Sequence, residues 1–533
     1  MSFFEICRIP DYVAIQSEDG WSGMEKAGGL WTWKGVEVLI EEREKQLHIY
    51  LKSGQVPVKR IVVKWRVNIG PGVRLLGDHW ERGYGDLEWR GIVPERVMPW
   101  YFLINDGKVT HGYGVKTGLS SMCFWQATDK DVALCMDVRC GGSGVVLGSR
   151  MLCTAVVVSR QGKENELSFQ AAKEFCRLLC DKPLLPSQPV YGGNNWYYAY
   201  GKSSHDKILD DSRLMAELSS SSENRPFMVI DDGWQLCHNK SCNGGPWHSG
   251  NYLFPDMAKL ASQMKEEGVK PGLWVRPLMT SEMIPEHCRL PDSRFKNAEH
   301  DQFMDPSLPE VLEFVSKDIS RAVSWGYELI KHDFSTFDLL GRWGFEMNGE
   351  LTNDGWHFAD RSKTTAEIIG DLYRTIRKAA GSSLVLGCNT VAHIAAGIFE
   401  LQRTGDDTSG LQWERTRKMG INTLAFRMSQ HETFFAVDAD CAGITENIPW
   451  TLNEQWLRLL SQSGTPLFVS VSPDTIQLEQ KKAVKMAFEA AASVQPAGEP
   501  LDWMDTTCPG KWRLNGEIVE FDWLEYDRIE FCR

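Results

Sequence analysis

Two short runs of this chain place a carboxylate beside a fixed cation. Tyr327-Glu-Leu-Ile-Lys-His-Asp-Phe334 climbs from apolar residues into Lys331 and Asp333, and Gln402-Arg-Thr-Gly-Asp-Asp-Thr408 puts Arg403 four residues before Asp407. Acid/base or nucleophilic chemistry on a sugar acetal needs such a pair. One carboxyl must be ionised to attack, and the other must hold a proton for the leaving group.

The elements around these runs read as a barrel. Apolar strand-like segments at Val190–Trp196, Pro226–Asp232, Lys270–Arg276, Glu328–Asp333, Ser383–Asn389, Leu401–Thr404, Phe434–Asp440 and Pro466–Val471 alternate with amphipathic helical stretches such as Ser203–Ser219, Met257–Gly268, Pro309–Trp325 and Thr364–Ala380. Alternating β and α elements imply a parallel sheet, and eight units imply a central (β/α)8 TIM barrel. Asn195-Trp196, Asp231-Asp232, Trp274 to Arg276, Lys331 to Asp333, Cys388-Asn389, Arg403 to Asp407 and Asp438 to Asp440 all fall toward the C-terminal ends of their strands. That face is where barrels carry their chemistry.

Before the barrel, residues 1–185 alternate with period two between turn residues, as in Val36–Glu41, Gln46–Leu51 and Arg60–Val67, and predict an antiparallel β-sandwich. A short helix is expected over Ala171–Leu179. The proline-rich Asp181–Pro189 marks the boundary with a catalytic barrel over 186–494, and residues 495–533 read as a small C-terminal β module. The expected fold is thus multidomain.

Composition narrows the partners. A chain of 533 residues with 42% hydrophobic content can bury several cores, and a net charge of −13 disfavours nucleic acid as the partner. No apolar run is long enough to span a bilayer, and the start lacks an export signal, so a cytoplasmic protein is expected. The 14 cysteines follow no repeating frame. Cys176/Cys180 and Cys237/Cys242 lack zinc-site spacing, so reduced thiols and no metal are expected. Twenty-one tryptophans are many for this length. Several sit beside Gly and Asp at strand ends, where flat rings suit the apolar faces of sugars. Trp65 and Trp325 read as core.

Five motifs in order, Asn195-Trp196, Asp231-Asp232-Gly-Trp234, Gly272-Leu-Trp274, Lys331-His-Asp333 and Arg403-Thr-Gly-Asp-Asp407, resemble the α-galactosidase clan. The resemblance is to glycoside hydrolase families 27 and 36 and to the related raffinose synthases and alkaline α-galactosidases. It implies Asp333 as the nucleophile and Asp407 as the general acid/base, the spacing from Arg403 selecting Asp407 over Asp406. It also implies Asp231 and Asp232 as acceptors for sugar hydroxyls, Trp196 and Trp274 as walls, and Lys331, Cys388 and Arg403 as further substrate-binding residues. Asp438 and Asp440 resemble the clan's Asp-x-Asp, with Asp440 as support. His332 and His393 read as structural.

The activity so implied is retaining exo-hydrolysis of terminal α-galactosides on a small carbohydrate substrate, with no cofactor. A galactosyl transferase of raffinose-synthase type, an α-N-acetylgalactosaminidase, a β-L-arabinopyranosidase and, more distantly, a non-catalytic carbohydrate-binding protein remain open. Oligomeric state is not legible. Two positions depart from the clan's pattern: the segment Asn389-Thr-Val-Ala-His393, and Arg276. Arg276 is expected to pair with Asp231, Asp232 or a loop acid, or to meet an anionic substituent.

Overall fold

The computed structural model describes residues 3–220, 223–238, 243–295 and 302–524. Cys242 and residues 525–533 of the expected C-terminal module lie outside the described residues.

Two antiparallel sheets, of six and eight strands, fill the N-terminal region between Tyr12 and Arg160. Val36–Arg43 and Gln46–Ser53 show why: buried and partly exposed residues alternate along both, so one face of each strand enters the core. The two-residue turn between them holds Glu44 and Lys45 at positive φ, which matches the twist of a tight hairpin. Helix Ser168–Leu179 starts a little before the expected Ala171 and lays Phe175 on strand Thr110–Val115. A Cβ at Gly112 would come within 2.3 Å of the Phe175 ring, so glycine is required for this approach.

All eight expected barrel strands form, at Tyr191–Asn194, Phe227–Ile230, Lys270–Val275, Leu329–His332, Leu384–Gly387, Leu401–Arg403, Ala436–Asp438 and Leu467–Ser470. Neighbours pair in parallel, and the first pairs with the eighth as well as the second. The seventh strand, expected over Phe434–Asp440, forms as the shorter Ala436–Asp438 and is followed by a further segment that was not expected. Ala436–Asp438 pairs with the sixth strand, whereas a second segment, Cys441–Gly443, pairs with the eighth. The break falls at Asp440, whose φ of 71° is incompatible with an extended strand. The ring therefore closes through an interrupted strand.

The four expected helices lie at His205–Leu218, Met257–Glu266, Pro309–Ser324 and Thr365–Ala379. Thr364 caps the last of these in a reciprocal capping box with Glu367. A three-stranded antiparallel sheet, Glu499–Pro500, Lys511–Leu514 and Glu517–Glu520, follows the barrel. It is tied back by the Trp413 indole nitrogen donating to the Trp523 carbonyl at 2.9 Å. No described helix is long and apolar enough to cross a membrane.

Candidate active site

The fourth strand ends at His332, and Asp333 follows it with its carboxylate buried. Phe334 takes a left-handed conformation (φ 63°), costly for a bulky residue, and thereby turns its amide back to Asp333 Oδ1 at 2.8 Å. The Asn389 amide donates to the same oxygen at 3.0 Å, and the Trp274 indole nitrogen donates to Oδ2 at 3.0 Å. Burial alone would raise the pKa of this carboxyl. Arg82, Lys331 and these donors outweigh it and bring the value down to about 2, so Asp333 is ionised at neutral pH.

Lys331 does not pair directly with Asp333. Its Nζ donates to Asp231 Oδ2 at 2.7 Å, and Asn194 Nδ2 donates to the same oxygen at 2.7 Å. Lys331 and Asp333 share one face of the strand end, and what separates the pair is the engagement of Lys331 Nζ by Asp231. Their neighbour His332 points the other way. There His332 is buried between the Tyr373 and Phe399 rings and is held neutral by that burial. Asp231 and Asp232 are both buried, and each has its own donors. The Asp232 amide donates to Asp231 Oδ1 at 2.9 Å, while Gln235 Nε2 donates to Asp232 Oδ1 at 2.6 Å and His238 Nδ1 lies 3.0 Å from it. Trp196 is half-buried and edge-on to Tyr200; its amide donates to Asn194 Oδ1, which connects it to Asp231.

The sixth strand carries Arg403, buried, with Nη2 donating to Asp407 Oδ1 at 3.0 Å and to the Tyr197 hydroxyl at 3.2 Å. It also pairs with Asp440, and its Nη1 lies 3.4 Å from the Cys388 sulfur. Gly405 is obligatory in this turn, since a Cβ there would sit 2.0 Å from the Met419 carbonyl oxygen. The two adjacent carboxyls beyond it differ sharply. Asp406 is gripped by Arg82 and Arg415, each at 2.7 Å; burial is overcome and its pKa is lowered. Asp407 keeps 37% of its side chain exposed, yet the surrounding protein raises its pKa. Desolvation leads there, with Asp440 and Asp406 adding to it against Arg403 and Arg82. Asp440 receives the Thr408 amide at 2.8 Å and the Thr408 hydroxyl at 2.9 Å, bonds that require its broken-strand backbone. Burial pushes Asp438 up to about 6.

Sequence reasoning missed Arg82. It reaches the barrel from a loop of the N-terminal sheets, where Gly83 forms a bridge with Gly405. Its guanidinium lies 2.7 Å from Asp406, 3.9 Å from Asp407 and 3.9 Å from the Cys388 sulfur. The neighbouring Glu81 accepts from the Gly344 amide at 2.8 Å and from Asn389 Nδ2, which steadies the segment that donates to Asp333. The signal was the run Trp80-Glu-Arg-Gly-Tyr-Gly85, whose charged pair between aromatics and glycines interrupts the alternating pattern.

Arg276 makes an internal pair, one of the two roles expected for it. Its partner is neither Asp231 nor Asp232 but Asp338, on the short helix after the fourth strand, at 2.6 Å. The guanidinium is buried and stacks over the Phe334 ring at 4.2 Å, bracing the left-handed turn beside Asp333. His393 likewise faces inward, its Nε2 3.0 Å from the Val115 carbonyl.

No family model matches the chain. A curated relative, the α-galactosidase AgaA of Geobacillus stearothermophilus, is 27% identical over 140 residues, a stretch covering 25% of this chain and 18% of that protein's length. Solved structures align far more completely. The α-galactosidase TtGalA of Thermus thermophilus, in complex with p-nitrophenyl α-D-galactopyranoside, superposes over 96% of this chain and 99% of its own, with a TM-score of 0.59 at 17% identity. AgaA itself, a family 36 enzyme, superposes over 91% of this chain and 75% of its own, with a TM-score of 0.60 at 14% identity. The chain thus has the multidomain fold of the family 36 α-galactosidases. This likeness in fold extends over 96% of the chain.

Proposed function

We propose that the chain is a retaining exo-glycosidase acting on terminal α-galactosides by double displacement. One observation carries this reading: at the C-terminal face of the barrel, the pKa of Asp333 is driven down to about 2 while that of Asp407 is driven up. Asp333 is the nucleophile, ionised and fixed by three N–H donors. Asp407 is the general acid/base, half-open to an approaching leaving group and later to water. Asp406 is excluded from that role by its two arginines, which hold it ionised.

Asp231 and Asp232 accept hydroxyls of the terminal sugar, Lys331 and Arg403 donate to it, and Trp196, Trp274 and Cys388 shape the walls. The substrate class rests on the relatives, since TtGalA was solved with p-nitrophenyl α-D-galactopyranoside and an AgaA variant with raffinose. In glycosylation, Asp333 attacks the anomeric carbon as Asp407 protonates the departing oxygen. In deglycosylation, Asp407 takes a proton from water, which displaces Asp333.

The test follows p-nitrophenyl α-D-galactopyranoside by NMR from the first minute of turnover. The expected first product is α-galactose, which later mutarotates. β-Galactose as the first product, or no hydrolysis of this substrate, would overturn the reading.

A further inference from the structure

The barrel chain makes a long excursion between its third strand and helix Pro309–Ser324. A single turn of 3-10 helix in that excursion, Glu286–Cys288, presents two adjacent donor side chains, His287 and Cys288. Glu310, in the first turn of the helix, faces both. We propose that His287, Cys288 and Glu310 form a binding site for one zinc-class divalent cation, which pins the excursion to the helix.

The donor set and its geometry carry this. The ligand atoms of all three residues lie within 4.8 Å of one another. Cys288 Sγ lies 3.4 Å from His287 Nε2 and 3.1 Å from Glu310 Oε1, and His287 Nε2 lies 2.5 Å from Glu310 Oε1. Zinc bonds of about 2.0–2.3 Å at tetrahedral angles separate neighbouring donors by about 3.3–3.6 Å. The two sulfur distances are within about half an ångström of that range. The imidazole–carboxylate pair needs to open by less than an ångström, a small rotation of an exposed glutamate.

A thiolate, an imidazole and a carboxylate suit zinc or cobalt(II) rather than magnesium or calcium, which prefer oxygen throughout. The buried position of Cys288 suits a fixed ligand, while the exposure of His287 and Glu310 leaves the fourth position to water. On binding, the Cys288 thiol loses its proton to solvent and the cation takes the sulfur lone pair. Among the described residues this is the one place where three such groups converge.

The excursion has a reason to be pinned. Arg294, in the same excursion, donates from Nε to the Asp338 carbonyl at 2.9 Å, and Asp338 holds Arg276 over the Phe334 ring. None of the three ligands is a residue of the candidate active site, so the test of this site does not depend on the glycosidase reading.

The experiment uses the full chain, stripped with chelator and dialysed, then titrated with zinc chloride by calorimetry and with cobalt(II) chloride by absorption. One equivalent per chain is expected, with a rise in Tm and a sulfur-to-cobalt charge-transfer band. Cys288→Ser should abolish that band. His287→Ala and Glu310→Gln, both at exposed positions, should each weaken zinc binding by at least about tenfold. Absence of a stoichiometric binding event, or a charge-transfer band that survives Cys288→Ser, would overturn the proposal. So would zinc affinity unchanged in both exposed-site variants.

Discussion

Arg82 lies close to both members of the Asp406–Asp407 pair, and its charge also lowers the pKa of Asp333. Its cation stabilises the ionised form of each carboxyl, so removing it raises the pKa of each. For Asp333 this moves the acid limb of the kcat/KM profile upward, because the proposed nucleophile protonates at higher pH. For Asp407 it moves the alkaline limb upward as well, because the proposed acid keeps its proton longer. Arg82→Met should therefore shift both limbs in the same direction, by about one pH unit or more, whereas Arg82→Lys should leave them nearly in place. The profile is measured on p-nitrophenyl α-D-galactopyranoside. A fall in rate with both limbs unmoved would mean that Arg82 acts only in packing.

At the scale of elements, the turn after the sixth strand depends on Gly405 having no side chain. Gly405→Ala would drive a methyl group into the Met419 carbonyl and the Thr423 hydroxyl, 2.0 Å and 2.6 Å from the ideal Cβ. The backbone must shift, at a cost of about 1–3 kcal/mol, and the shift displaces Asp407 from its proposed acid/base position. Thermal melting and kcat should both fall, with the loss in kcat largest for substrates with poor leaving groups. The barrel strands were legible because each is an apolar run bounded by turn residues, and the motif carboxylates because they terminate those runs. The further segment past Asp440 was not legible. Phe434-Phe-Ala-Val-Asp-Ala-Asp440 reads as one strand, and the bonds that hold Asp440 come from Thr408 and Arg403, both distant in sequence. Arg276 lies one residue past its strand, and its partner Asp338 follows the fourth strand, where no spacing rule points.

At the scale of the whole molecule, the N-terminal sheets complete the barrel's site. The loop bearing Asp78, Glu81 and Arg82 is fastened to the barrel at several points. Arg427 Nε donates to Asp78 Oδ1 and Gln430 Nε2 to Asp78 Oδ2, each at 2.8 Å. Both partners of the Asp78–Arg427 pair are buried, so Asp78→Ala leaves an uncompensated cation in the interface, which costs about 3–5 kcal/mol. Urea denaturation should report that loss, and the remaining folded protein should show a weakened acid/base step because Arg82 is no longer anchored. A stability within about 0.5 kcal/mol of the parent would mean that the loop is held elsewhere. Arg82 escaped sequence reasoning because it belongs to one part of the chain and acts in another.

The identity of the nucleophile is the centre of the account, and azide tests it directly. Asp333→Ala should lose hydrolysis of p-nitrophenyl α-D-galactopyranoside, since no carboxylate remains to attack the anomeric carbon. Azide entering the space left on that face should restore p-nitrophenolate release and yield β-galactosyl azide, with the anomeric configuration inverted. Residual hydrolysis near the parent rate, or rescue that produces α-galactosyl azide, would contradict the assignment of Asp333.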